Sequence, residues 1–197
     1  MTHALLKRTT HTPPPALELW DDIALPVSRV HELCGRARRT LALRIAAKTG
    51  GPVLWIAPVW GADPLNPVAV ADIVPPRNLV FVTPRRPEDL LWSMEEALRS
   101  GVAPVVICDL PGPPPLTPVR RLHLAAQSGA ELGKCRPLGL LLTPGDGGAA
   151  GVETRYRMNP AHTPDSPRWR LDRLRARMAP PKSWQLGPNG PAKPQQP

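Results

Sequence analysis

With 197 residues, 42% hydrophobic content and a net charge of +9, the chain is long enough for one packed domain with tails, and no apolar run approaches the roughly 20 residues needed to span a bilayer. After residue 150, nine Lys/Arg stand against three Asp/Glu, a field that suits nucleic acid, an acidic protein surface or plain solvation. Cys34, Cys108 and Cys135 make no CxxC or Cys/His ligand spacing, so a disulfide framework and a structural zinc site are excluded and reduced, intracellular thiols are expected.

Residues 1–15 end in Pro13-Pro14-Pro15 and read as a flexible tail; Lys7 and Arg8 have no apolar core after them, so no secretory signal is expected. Leu17, Leu19, Trp20, Ile23 and Ala24 suit a short helix. Val30 to Leu33 reads as a strand, 38–48 as a helix ended by Gly50-Gly51, and Val53 to Ile56 and Leu79 to Val82 as buried strands. The next helix has Pro87 at its start, Glu88 and Asp89 in its first turn, and Gly101 after its end. Val105 to Cys108 is an apolar strand ending at Asp109; a helix (Pro118 to Glu131) and a strand (Leu138 to Leu142) follow. Unbroken apolar strands alternating with helices imply a parallel sheet covered on both faces.

The character changes at residue 150. Val152, Thr154, Tyr156 and Met158 alternate with Glu153, Arg155 and Arg157, as in a half-exposed strand. Residues 169–178 fit a strand with a bulge or a basic helix, the strand being preferred, with Ser183 to Leu186 as its short partner. The chain therefore divides into a tail (1–15), a core (16–150), basic strands packed on it (151–186) and a Pro-rich, disordered tail (187–197).

The stretch Cys34-Gly35-Arg36-Ala37-Arg38-Arg39-Thr40-Leu41 lies between a strand and a helix, the setting of a phosphate loop. A working loop reads GxxxxGK[ST]: backbone N–H groups wrap the phosphates, Lys reaches the terminal ones, and the hydroxyl holds Mg²⁺. Here there is one Gly, no Lys and no hydroxyl at the required place.

The order of these segments resembles the RecA-type ATPase core. The match is carried by Asp22-Ile23-Ala24-Leu25 with Arg29 to Gly35, Thr40-Leu41-Ala42-Leu43, Leu54-Trp55-Ile56 through Asp63-Pro64, Asn78-Leu79-Val80 through Gly101, and Val105 to Leu110. It implies a RecA-like, mostly parallel sheet with helices on both faces and a β-rich basic C-terminal extension. The departures are as informative. Gly35 stands six residues before Leu41, three fewer than in RecA. Arg38 falls on the lysine position, Arg39 on the hydroxyl position, Val59 on the catalytic glutamate and Pro144 on the phosphate-sensing glutamine, leaving Asp109 alone. A Val cannot activate water, so a degenerate nucleotide site without catalysis or cofactor is expected.

A RecA-related chain without the ATP site is similar to the ImuA family of damage-inducible mutagenesis accessory proteins. Glu88-Asp89-Leu90-Leu91-Trp92 through Leu98, Arg120-Arg121-Leu122 with Leu124-Ala125-Ala126, Thr154-Arg155-Tyr156-Arg157, and Trp169-Arg170-Leu171 through Arg177 carry that resemblance. It implies a non-catalytic adaptor in SOS-induced translesion synthesis. The implied partners are an ImuB-like, Y-family-related subunit and an error-prone DnaE-type polymerase, with RecA and DNA as further partners. A cytoplasmic protein, nucleoid-associated when DNA is damaged and without membrane contact, follows. The alternative is a SulA-like SOS inhibitor of cell division that binds the tubulin-like division protein; an ATPase with an unusual loop is disfavoured by the missing Lys and Glu.

Two arginine groups are candidate DNA- or partner-binding sites. Arg36, Arg38 and Arg39 crowd a helix start, against its dipole; they either receive an anion or are solvated. Arg155, Arg157, Arg170, Arg173, Arg175 and Arg177 (with Arg168) put alternate side chains on one face of paired strands, where they either track a phosphate backbone, meet a partner or face water. Tyr156 and Trp169 are either stacking platforms or core; Trp92 is core or a partner hot spot. The loop Gly145-Asp146-Gly147-Gly148-Ala149-Ala150-Gly151 reads as a flexible connector. The five histidines show no ligand spacing, so no metal is expected.

Overall fold

A computed structural model describes residues 14–191 except 21, 62 and 63. Residues 1–13 and 192–197 of the two expected tails, and Asp63 of the Asp63-Pro64 pair, lie outside the described residues.

The described residues open with β1 (Ala16–Trp20) and β2 (Ile23–Pro26), an antiparallel hairpin where a helix was expected. Five apolar positions in so short a segment fit period 2 as well as period 3.6, and burial decides: Leu19, Ile23 and Leu25 point inward while Glu18 and Ala24 face out. Then come β3 (Val30–Cys34), α1 (Arg38–Thr49) and β4 (Val53–Ile56). A short helix α2 (Pro67–Ala71), unread in the sequence, starts on an Asn66 side chain that accepts from the Val68 N–H at 3.0 Å. It leads through a 3₁₀ turn to β5 (Leu79–Val82), α3 (Pro87–Ser100), β6 (Val105–Asp109), α4 (Leu116–Leu132) and β7 (Leu138–Leu142). Among the described residues the C-terminal elements are all strands: β8 (Thr154–Pro160), β9 (Trp169–Ala176), β10 (Lys182–Gly187) and β11 (Gly190–Pro191).

These strands correct the expected RecA-like, mostly parallel sheet. The sheet is mixed and nine-stranded, in the order β11-β10-β9-β8-β3-β7-β6-β4-β5. Pairings from β8 to β5 are parallel, whereas β9, β10 and β11 add to the same sheet antiparallel. The physical reason is connection length: eight residues join β8 to β9 and five join β9 to β10, too few for the crossover that parallel pairing requires. Residues 169–176 take the strand alternative, with a register shift that leaves Leu174 as the extra residue opposite Arg155 and Tyr156. The end of the chain is also corrected: 187–191 are not a disordered tail but the turn and last strand of a hairpin. Gly190 (φ 131°) lets Trp20 pack where a Cβ would lie 2.5 Å from the indole, and Leu186 is fully buried.

Helix α1 covers one face of the sheet with Leu41 and Ile45; the hairpin β1–β2 closes the same cluster. Helices α3 and α4 cover the other face through Leu90, Met94, Leu98, Leu122 and Ala126. They cross at Gly101, Gly129 and Gly133, where a Cβ on Gly129 would collide with the Leu98 carbonyl. Asp22, beside the hairpin turn, accepts from Trp184 Nε1 at 2.9 Å and pairs with Lys182, tying the hairpin to β10.

Candidate functional site

Strand β3 delivers the chain to Gly35, which turns into α1 with φ 86°, a left-handed conformation suited to glycine. A phosphate loop needs free N–H groups at this point. Here the chain itself has taken them. The Gly35 N–H donates to the Gly145 carbonyl at 2.9 Å, the Arg36 N–H to Asn159 Oδ1 at 2.9 Å, the Ala37 N–H to the Met158 carbonyl at 2.9 Å and the Arg38 N–H to the Gly35 carbonyl at 3.4 Å. A Cβ on Gly35 would lie 2.5 Å from the Met158 oxygen, so β8 occupies the side from which a phosphate would approach.

Asp109, at the end of β6, is nearly buried and faces the start of α1. Arg39 Nε donates to its Oδ2 at 2.6 Å, and Arg38 Nε lies 3.9 Å from Oδ1. This carboxylate offsets the conflict between two arginines and the helix dipole. The pairing with Arg39 also neutralises the charge that an Asp at this position would offer a cation. Arg38, Arg39, Asp109 and Pro144 meet around a cavity of about 320 Å³ that Ala57, Pro58, Trp60 and Leu110 complete. Val59 is 66% exposed and lines an adjoining, more apolar hollow of about 370 Å³ with Arg39, Trp55 and Phe81. Arg36 is exposed at the rim of the turn. The structure thus gathers Arg38, Arg39, Asp109 and Pro144, sets Gly35 and Arg36 behind them, and turns Val59 outward. Titration of Mg-ATP into the protein is expected to give no heat beyond dilution. A micromolar isotherm in the calorimeter would overturn the closed-loop reading.

Sequence reasoning missed the residue that organises this corner. Glu32, on β3, is fully buried. Its Oε1 accepts from Thr143 Oγ1 at 2.6 Å and from the Gly148 and Ala149 N–H groups at 2.8 and 3.0 Å, while Arg155 pairs with Oε2. The glycine loop 145–151 is therefore anchored, not a free connector, and Ala149 is fully buried. A charged residue between His31 and Leu33 was the only available signal: a carboxylate inside an apolar strand is retained only when donors surround it.

Strand pairing puts Arg155, Arg157, Arg170 and Arg175 on one face, as expected, but carboxylates interrupt the strip. Arg155 is spent on Glu32. Asp172 is nearly buried and gathers Arg157 (3.1 Å), Arg170 (2.9 Å) and Ser183 (2.6 Å). Burial pushes the Asp172 carboxyl up, but hydrogen bonds from Ser183, Arg170 and Arg157 outweigh it and hold the group below the usual carboxylate range. Arg173 donates to the Pro180 carbonyl at 2.9 Å and lies over the Trp184 ring. Tyr156 is buried, and Trp169 is partly buried under Arg44, whose guanidinium lies 4.1 Å from the ring centroid; Tyr156 is therefore core, and Trp169 is already covered on one face. Trp92 is 59% exposed and is therefore not core. Arg175 and Arg177 line a hollow beside α4.

Nucleophilic chemistry finds no footing in the buried thiols. Burial, with the nearby Glu32 charge, pushes Cys34 up to about 12, and burial pushes Cys108 up as well. Among the described residues no group of three His, Cys, Asp or Glu is placed to hold a metal ion, and no helix is long and apolar enough to cross a membrane.

No protein-family model and no curated protein matches the chain. Among solved structures, it is similar to SulA from Pseudomonas aeruginosa at a TM-score of 0.45 and 20% identity, over 59% of this chain and 98% of that one. A likeness of that degree carries no argument about what this chain does.

Proposed function

We propose that the chain is a non-catalytic accessory protein of SOS-induced, error-prone translesion synthesis. In this reading it acts with an ImuB-like subunit and a DnaE-type polymerase, with RecA as a further partner, and joins the nucleoid when DNA is damaged. The observation that supports it best is the closed turn at Gly35. Four successive N–H groups are bonded within the chain, and the Asp109 carboxylate is held by Arg39. A turn filled by its own chain suits a scaffold whose nucleotide chemistry has been given up, as the resemblance to the ImuA family implies. The exposed Trp92 on α3 supplies the type of aromatic anchor that partner surfaces use.

Affinity capture with the tagged full-length chain from ultraviolet-treated cells tests the proposal. Polymerase subunits are expected in the eluate, and Trp92→Ala is expected to reduce their recovery. Recovery of the tubulin-like division protein without any polymerase subunit would replace this reading with the division-inhibitor one.

A further inference from the structure

Between α4 and the end of β9 runs a groove made of two adjoining hollows. The larger, of about 540 Å³, is lined by Arg120, Arg175, Arg177 and Arg29. The second, of about 400 Å³, shares Arg29, Glu153 and Arg177 with the first and adds Arg136. Five arginines thus face two carboxylates, Glu131 and Glu153. Glu153 is shared: Arg29 Nε lies 3.7 Å and Arg177 Nε 3.6 Å from its Oε2. Arg29 is further fixed by the Ser28 carbonyl at 3.1 Å and by Gln127, whose amide oxygen, turned toward it, accepts at 2.6 Å. Among the described residues, no acid lies within ion-pair distance of Arg120, Arg136 or Arg175, and all three are exposed. The groove therefore holds both a braced pair of guanidinium groups and three whose charge is unspent.

We infer that this groove binds the phosphate backbone of nucleic acid without reading its sequence. Guanidinium groups present a planar fork that matches phosphate oxygens. Along α4, Arg120 and Glu131 are separated by about 16 Å at 1.5 Å per residue, a track for roughly four or five phosphates of a stacked strand. Among the described residues no Phe, Tyr or Trp lines either hollow, and the one imidazole, His123, is tied at both nitrogens, to the Val30 N–H and the Gly151 carbonyl, so bases are left unstacked and unread, unlike the platforms of sequence-tolerant stacking proteins. An acidic peptide is the less favoured occupant: its charges are irregularly spaced, and the groove is an extended track rather than a single anchoring pocket. The inference stands on the groove alone, so failure to recover polymerases in the capture experiment leaves it intact.

The test is fluorescence anisotropy of the full chain with a labelled twenty-residue oligothymidylate between 50 and 200 mM KCl. Arg120→Ala with Arg175→Ala, both at exposed positions, is expected to weaken binding at least tenfold at the lowest salt. It is also expected to reduce the magnitude of the log–log salt slope by about 1.4, two contacts at about 0.7 each. Arg77→Ala with Arg86→Ala, near the far edge of the sheet, is expected to change neither. An unchanged slope in the groove variant, an equal loss in the far-edge variant, or tighter binding of a polyglutamate peptide of the same charge would overturn the assignment.

Discussion

Glu32→Gln is expected to destabilise the protein by about 3–5 kcal/mol, the usual cost of removing one partner from a buried ion pair. The melting temperature should fall by roughly 10 °C for a domain of this size, as read by circular dichroism at pH 7. The amide keeps the shape of the carboxylate but presents an N–H₂ where Arg155 also donates. A guanidinium with 19% of its side-chain surface exposed then loses its counter-charge. The Gly148 and Ala149 N–H groups and the Thr143 hydroxyl depend on the same carboxylate, so their hydrogen exchange should accelerate with it. Adding Arg155→Gln should recover part of the loss, because the uncompensated charge leaves with its partner. A shift of the melting temperature below about 2 °C in the single variant would show that the loop is held by something other than Glu32.

The second large effect is a pH dependence centred on His31, the neighbour of Glu32. Its ring is fully buried. Nε2 donates to the Pro26 carbonyl at 2.9 Å, which leaves Nδ1 to accept from Thr154 Oγ1 at 2.8 Å, so the neutral tautomer is specified. Burial lowers its pKa from 6.5 to about 4, with the charges of His123 and Arg29 acting in the same direction. The folded form stays neutral where the unfolded chain already takes up a proton. Stability is therefore fully present above pH 6.5 and is lost as pH falls toward 4. The whole step is worth roughly 3 kcal/mol, from the interval between the two pKa values. His123, also lowered chiefly by burial, adds to the slope with the same sign. Urea denaturation at pH 7 and pH 4.5 measures the step. His31→Gln should be less stable at pH 7 and show a distinctly flatter profile; a variant with the full wild-type slope would assign the dependence elsewhere.

Local patterning made much of the skeleton readable. Pro87, Glu88, Asp89 and the left-handed Gly101 bracket α3 in sequence and structure alike, because caps and dipole preferences act within a few residues. The apolar runs of β4, β6 and β7 needed no partner to be recognised. The hairpin β1–β2 was not legible, since its apolar residues satisfy two periods, and only the cluster they enter selects one. The last hairpin was hidden for a similar reason: Gly190 packs against Trp20, far away in the sequence.

The candidate site divides in the same way. Sequence alone determined that Gly35 stands between a strand and a helix, that no GxxxxGK[ST] pattern occurs there, and that Asp109 ends a buried strand. Those are statements about residue types and spacing, which a one-dimensional string contains. Only the tertiary structure decided what became of them. Asn159 and Met158 of β8 fill the turn at Gly35, Arg39 neutralises Asp109, and Glu32 ties down the glycine loop. It also set Glu32 and Asp172 among the arginines of the expected strip and brought Arg175 and Arg177 together with Arg29, Arg120 and Arg136. Hydrogen bonds and ion pairs depend on distances of a few ångströms between groups that can lie a hundred residues apart, and sheet order sets those distances.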